Sequence, residues 1–87
     1  MSYYLYILQS EAIDRLYIGV TGDLKNRIKR HNQGRSLSTK SARPWKVVHT
    51  EEFNTRSEAM MRESQLKKWK NKDRLKQLIK LGASTSE

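Results

Sequence analysis

Eighty-seven residues suffice for one domain, at the small end of the range in which a single core is adequate. The chain has no cysteine, which excludes disulfides and thiolate metal sites, and no apolar run approaches bilayer length. Its 18 Lys and Arg against 9 Asp and Glu give a formal charge of +9, a field that attracts polyanions, nucleic acid first among them. There is no basic n-region of a secretory signal, so a cytoplasmic protein without membrane attachment is expected.

Residues 3–9 are rich in Tyr, Leu and Ile and predict a strand. Residues 15–21, RLYIGVT, predict a second, with Leu16, Ile18 and Val20 on one face and Tyr17 and Gly19 on the other. The polar SEAID between them is short enough for a hairpin, which sets Tyr6 and Tyr17 opposite each other or one step apart. Gly19 inside a strand marks a bulge or a close backbone approach. TGDLKNRIKRHNQG then predicts a helix, with Thr21 or Asp23 as cap and Gly34 as terminator. Leu24 and Ile28 form its apolar stripe, and Arg27 and His31 stand together at the margin of that stripe.

Residues 34–44, GRSLSTKSARP, read as a basic, serine-rich loop, and WKVVHTEEF as a third strand ending near Phe53. Thr55-x-x-Glu58 is a capping box that opens a second helix, on which Ala59, Met60, Leu66 and Trp69 share a side. Glu63 falls inside that apolar sector. A carboxylate there is costly unless paired, protonated or metal-bound. Salt-bridging to an arginine is the structural alternative to a hard divalent ion, which one carboxylate, waters and a substrate phosphate can hold. A short last helix through Leu75, Leu78 and Ile79 completes a single domain over residues 1–81, with a disordered tail over 82–87. The order β-β-α-β-α-α describes an α+β fold, a small three-stranded, mainly antiparallel sheet flanked by helices.

Singly, each of these polar residues has an ordinary structural explanation. Their order resembles that of the GIY-YIG nuclease superfamily over roughly residues 3–80, and is particularly similar to its small stand-alone bacterial members. The second of the two strand motifs stands as Tyr17-Ile18-Gly19; the first is degenerate, Tyr4-Leu5-Tyr6, and keeps its final tyrosine. Arg27 follows the second tyrosine by ten residues, His31 follows four later, and Glu63 lies on a later helix. The chain departs from some members at Val20, where they carry a lysine, which implies either weaker activity or replacement by Lys25 or Lys40, and Asn71 stands as the match to their distal asparagine.

The resemblance implies a metal-dependent endonuclease that hydrolyses DNA phosphodiester bonds, with Tyr6, Tyr17, Arg27, His31 and Glu63 as its catalytic set. One Mg²⁺ or Mn²⁺ on Glu63 would polarise the phosphate, and Arg27 would fork onto its oxygens. A phenol with a pKa of about 10 is a poor base at neutral pH, and the surrounding cations would favour its ionisation. Both tyrosines stay open for that role, with Tyr17 preferred, Tyr6 orienting the water and His31 relaying the proton. Lys25, Arg30, Arg35, Lys40, Arg43 and Lys67 are the expected phosphate contacts. So small a domain leaves little room for base readout, so weak sequence preference, selection of DNA shape and a link to repair are expected. Two alternatives remain: a non-catalytic nucleic-acid-binding module that keeps the fold, and a subunit that needs a partner protein.

Overall fold

The computed structural model describes residues 2–35, 39–69 and 72–85. The chain runs β1 (Tyr3–Ser10), β2 (Leu16–Thr21), α1 (Leu24–Asn32), a short 3-10 turn (Lys40–Ala42), β3 (Trp45–Phe53), α2 (Arg56–Lys67) and α3 (Lys72–Thr85). The sheet is antiparallel in the order β2-β1-β3. As the central strand, β1 is covered on both faces, which is why its run YYLYIL is apolar without a break.

Ser10 makes the β1–β2 hairpin: its backbone N–H donates to Arg15 O at 2.9 Å, and its hydroxyl oxygen accepts from Ala12 N and Ile13 N, each at 3.0 Å. The register sets Tyr6 opposite Gly19 and Leu8 opposite Tyr17, so the two tyrosines lie on a diagonal of one face.

In β3 the register shifts by one residue: Ile7 pairs with His49 but Leu8 with Val47, leaving Val48 as a bulge. Phe53, Glu51 and His49 therefore share the face of Leu5 and Ile7, while Trp45 returns to the face of Tyr6 and Leu8. The first face is a core of Leu5, Ile7, Ile18, Leu66 and Leu75, covered by α2 and α3. The second is a core of Tyr6, Leu8, Ala42 and Trp45, covered by Leu24 and Ile28 of α1.

Asp23 caps α1, its carboxylate accepting from Asn26 N at 3.3 Å, and Thr21 instead supports the preceding turn by accepting from Asp23 N at 3.0 Å. Gly34 ends the helix at φ +78, with Gly34 N donating to His31 O and Arg35 N to Arg30 O, the paired bonds of a Schellman cap. Thr55 caps α2 by accepting from Glu58 N at 3.2 Å. Ala59 and Leu66 are buried as the stripe predicts, whereas Met60 stands 48 % exposed because α2 rotates that edge away from the sheet. α3 continues through Gly82 to Thr85, where the sequence predicts the start of a tail. A glycine weakens a helix by about 1 kcal/mol but ends one only where the backbone turns left-handed, as at Gly34.

Between β3 and α2 a bidentate ion pair is structural: Arg62 Nε and Nη2 reach Glu51 at 2.9 and 3.2 Å, and His49 Nε2 lies 2.7 Å from the same carboxylate. Although burial raises the Glu51 pKa, the hydrogen bonds and charge of Arg62 and His49 outweigh it and hold the carboxyl below its ordinary range. Among the described residues no helix is long and apolar enough to cross a membrane.

Candidate active site

Tyr6 is 1 % exposed and its ring lies directly on Gly19: a Cβ on that glycine would stand 2.5 Å from Tyr6 Oη and 2.6 Å from its Cζ. The close backbone approach expected of Gly19 is therefore made by a tyrosine ring. Gly19→Ala is expected to cost about 1–3 kcal/mol, because the ring has no space to yield. A thermal melt checks it, and an unchanged Tm would mean that Tyr6 does not rest on this glycine.

The Tyr6 hydroxyl does not reach solvent. Its oxygen lies 3.0 Å from His31 Nε2, and His31 Nδ1 lies 2.8 Å from Thr39 Oγ1. His31 is 1 % exposed, continuing the stripe of Leu24 and Ile28 at i+7 and i+3 rather than standing at its margin. Burial, reinforced by Arg27 and Arg30, lowers its pKa, so at neutral pH it is an uncharged imidazole and adds no positive field. Burial, with Tyr17 acting in the same direction, raises the Tyr6 pKa well above that of an ordinary phenol; Arg27 opposes this and Glu63 adds to it. Tyr6 and His31 thus form a neutral, closed pair.

Tyr17 is half-buried on the edge strand β2, its ring centroid 4.8 Å from the His31 imidazole, 6.3 Å from Tyr6 and 6.4 Å from Trp45. Glu63 is half-buried on α2, which packs on β2 and β1, and its carboxylate lies 3.5 Å from Lys67 Nζ. α1 and α2 cover opposite faces of the sheet: Leu24 and Ile28 of α1 pack on the side of Tyr6, and Leu66 of α2 on the side of Leu5 and Ile7. Arg27 and His31 are thus carried on the helix that covers the tyrosine face, and Glu63 on the helix that covers the other.

Arg27 also belongs to an open cleft of about 460 Å³ lined by Thr21, Asp23, Asn26, Arg27, Lys29, Arg30, Gln33 and Arg35. Of the expected phosphate contacts, Arg30 and Arg35 are gathered here, and the Schellman cap is what turns Arg35 back toward α1. Lys29 joins them without having been singled out in the sequence. Lys25 and Lys40 are exposed outside this cleft. Arg43 is folded over Gly34, with its Nε donating to Lys40 O at 3.0 Å. Lys67 lines a smaller groove of about 280 Å³ with Leu16, Tyr17 and Trp69. Asn71 lies outside the described residues.

Among the described residues no three His, Asp or Glu side chains gather as metal ligands. Glu63 alone suits a hard ion that keeps most of its waters and takes its remaining oxygens from a bound phosphate; it does not suit a metal caged wholly by protein.

A small, basic α+β domain whose three-stranded antiparallel sheet carries a buried tyrosine–histidine pair, with an arginine-lined cleft along α1, is the class these observations define. The profile described as the GIY-YIG catalytic domain matches residues 2–77, and the chain belongs to this family. It is 37 % identical over 83 residues to a UPF0213 protein of Pediococcus pentosaceus, covering 94 % of this chain and 86 % of that one. A UPF0213 protein of Syntrophus aciditrophicus is 42 % identical over 80 residues, 88 % of each chain. The fold is similar to the solution NMR structure of a UPF0213 protein from Bacillus halodurans, with TM-score 0.60 and 32 % identity over 100 % of this chain and 92 % of that one. Membership of this family points to a nuclease-type function.

Proposed function

We propose that this protein is a metal-dependent endonuclease that hydrolyses DNA phosphodiester bonds with weak sequence preference, selecting the shape of a nick or branch as a repair enzyme would. The observation that carries this reading is the open cleft lined by Arg27, Lys29, Arg30 and Arg35 on a chain of this family. Within it, Arg27 donates its fork to the non-bridging oxygens of the scissile phosphate. Tyr17, the tyrosine that reaches solvent, takes the proton of the attacking water once its own hydroxyl hydrogen has passed to solvent. Glu63 would hold one Mg²⁺ or Mn²⁺, which when bound polarises the phosphate and stabilises the leaving 3′ oxygen. Tyr6 and His31, closed and neutral, shape the floor on which Tyr17 stands.

Arg27, Lys29, Arg30 and Arg35 share one cleft, a run of cations that suits a phosphate backbone. This favours a duplex tracked by its phosphates. Arg30 and Arg35 then act as phosphate contacts flanking Arg27. Replacing both by alanine is expected to lower the slope of log affinity against log salt by about 2 on duplex DNA, near 0.9 for each phosphate left unneutralised. An unchanged slope would move the DNA path away from this cleft.

Nicking of a labelled supercoiled plasmid and of branched oligonucleotides in Mg²⁺, Mn²⁺ or chelator tests the reading. Cleavage that chelator stops supports it. Binding without cleavage in every condition would make the protein a nucleic-acid-binding module that has kept the fold. Cleavage that appears only when cell extract is added would make it a subunit that needs a partner.

A further inference from the structure

The hydrogen bonds running inward from Tyr6 end on a residue that no sequence motif marks. Tyr6 and His31 are 1 % exposed and Thr39 is 0 %, so bulk water satisfies none of them. Both partners of the imidazole are hydroxyls, Tyr6 Oη at 3.0 Å and Thr39 Oγ1 at 2.8 Å, and either can donate or accept. The tautomer is therefore decided by which hydroxyl donates better and which accepts better.

If Nε2 carried the hydrogen, it would donate to the Tyr6 oxygen. A phenol is a stronger acid than an aliphatic alcohol and its oxygen a weaker acceptor, so this pairing would make the better donor accept and the poorer donor, Thr39, donate to Nδ1. If Nδ1 carries it, the phenol donates to Nε2 and Nδ1–H donates to the better acceptor, Thr39 Oγ1, so each hydroxyl takes the role its chemistry favours. A free histidine in water prefers the opposite tautomer, so the arrangement needs an acceptor fixed at Nδ1.

Thr39 is so fixed. Its carbonyl accepts from Trp45 Nε1 at 2.8 Å, and the Trp45 backbone is gripped by the Asn32 side chain, with Trp45 N donating to Oδ1 at 2.6 Å and Nδ2 donating to Trp45 O at 3.1 Å. The end of α1 thus supplies both His31 and, through Asn32 and Trp45, the anchor of the residue that orients it.

We propose that Thr39 is a positioning residue of this site: its hydroxyl holds His31 as the Nδ1–H tautomer, so that Nε2 accepts the Tyr6 hydroxyl and fixes that ring on Gly19 beside Tyr17. The effect on catalysis rests on the nuclease reading; the tautomer does not.

The test is the ¹⁵N NMR spectrum of the His31 ring in the wild type, Thr39→Val and Thr39→Ser, at neutral pH. The wild type is expected to show a protonated Nδ1 and a bare Nε2, Thr39→Val to shift toward the other tautomer, and Thr39→Ser to restore the first. In the plasmid assay kcat is expected to fall about tenfold in Thr39→Val and recover in Thr39→Ser, with KM unchanged, as befits loss of one buried hydrogen bond. A wild type with protonated Nε2 overturns the proposal even if Thr39→Val fails to fold, and so does a Thr39→Val spectrum like that of the wild type. A wild type that cleaves nothing in any metal brings down the nuclease reading, while the ring spectra still decide the role of Thr39.

Discussion

Glu63→Gln is expected to reduce metal-dependent cleavage by about 10³-fold, the several kcal/mol that a bound ion contributes to a phosphoryl transition state, while leaving DNA affinity and fold unchanged. The substitution keeps shape and removes charge. Its structural cost is small: the ion pair with Lys67 Nζ, at 3.5 Å, involves a lysine side chain 57 % exposed, an i,i+4 surface pair that contributes a few tenths of a kcal/mol at most. On the proposed reading, a half-buried carboxylate four residues after Ala59 and three before Leu66, with so weak an ion pair, serves a ligand. Melting curves, filter binding and plasmid nicking on the same preparations separate the possibilities. Equal nicking rates for the two proteins would remove Glu63 as the metal holder. A Tm lowered by several degrees would instead make it a structural carboxylate.

The elements of this fold were legible because each carries local chemistry. The capping residues Asp23 and Thr55, the terminator Gly34 and the unbroken apolar run of β1 act on their own neighbours, and the structure uses them accordingly. What depended on register was not legible. Gly19 reads as a point of close approach from sequence, but that Tyr6 makes the approach follows only once Tyr6 is set opposite it. The bulge at Val48 leaves no mark in WKVVHTEEF, yet it decides that Trp45 joins Tyr6 rather than Leu5.

The site divides in the same way. Arg27 and His31, four residues apart on α1, are neighbours on any helical wheel. Separating them into a solvent-facing cation and a buried neutral imidazole requires knowing which side of α1 meets the sheet. His31 at i+7 from Leu24 was the available signal, since it extends the apolar stripe. Thr39 carries none: it lies in a segment that reads as a polar loop, and its value comes from a contact eight residues back, held by a tryptophan further on.

The division of labour between the tyrosines leads to the second large effect. Tyr17→Phe is expected to lower the cleavage rate by at least about 10²-fold, the contribution of a positioned proton acceptor, without loss of fold. Tyr6→Phe is expected to act differently. It removes a buried donor and leaves His31 Nε2 unpaired, costing stability by about 1–3 kcal/mol, with a smaller effect on rate. Tyr6 is unsuited to accept a proton from water for two reasons: it is sealed from solvent, and burial and its neighbours hold it firmly as a phenol. Tyr17 shares the same face and reaches solvent at the edge strand. Melting curves and single-turnover cleavage of both variants against wild type distinguish the roles. The opposite pattern, with Tyr6→Phe inactive but stable and Tyr17→Phe active, would assign the proton to Tyr6. It would also require the Tyr6–His31 pair to open when DNA binds.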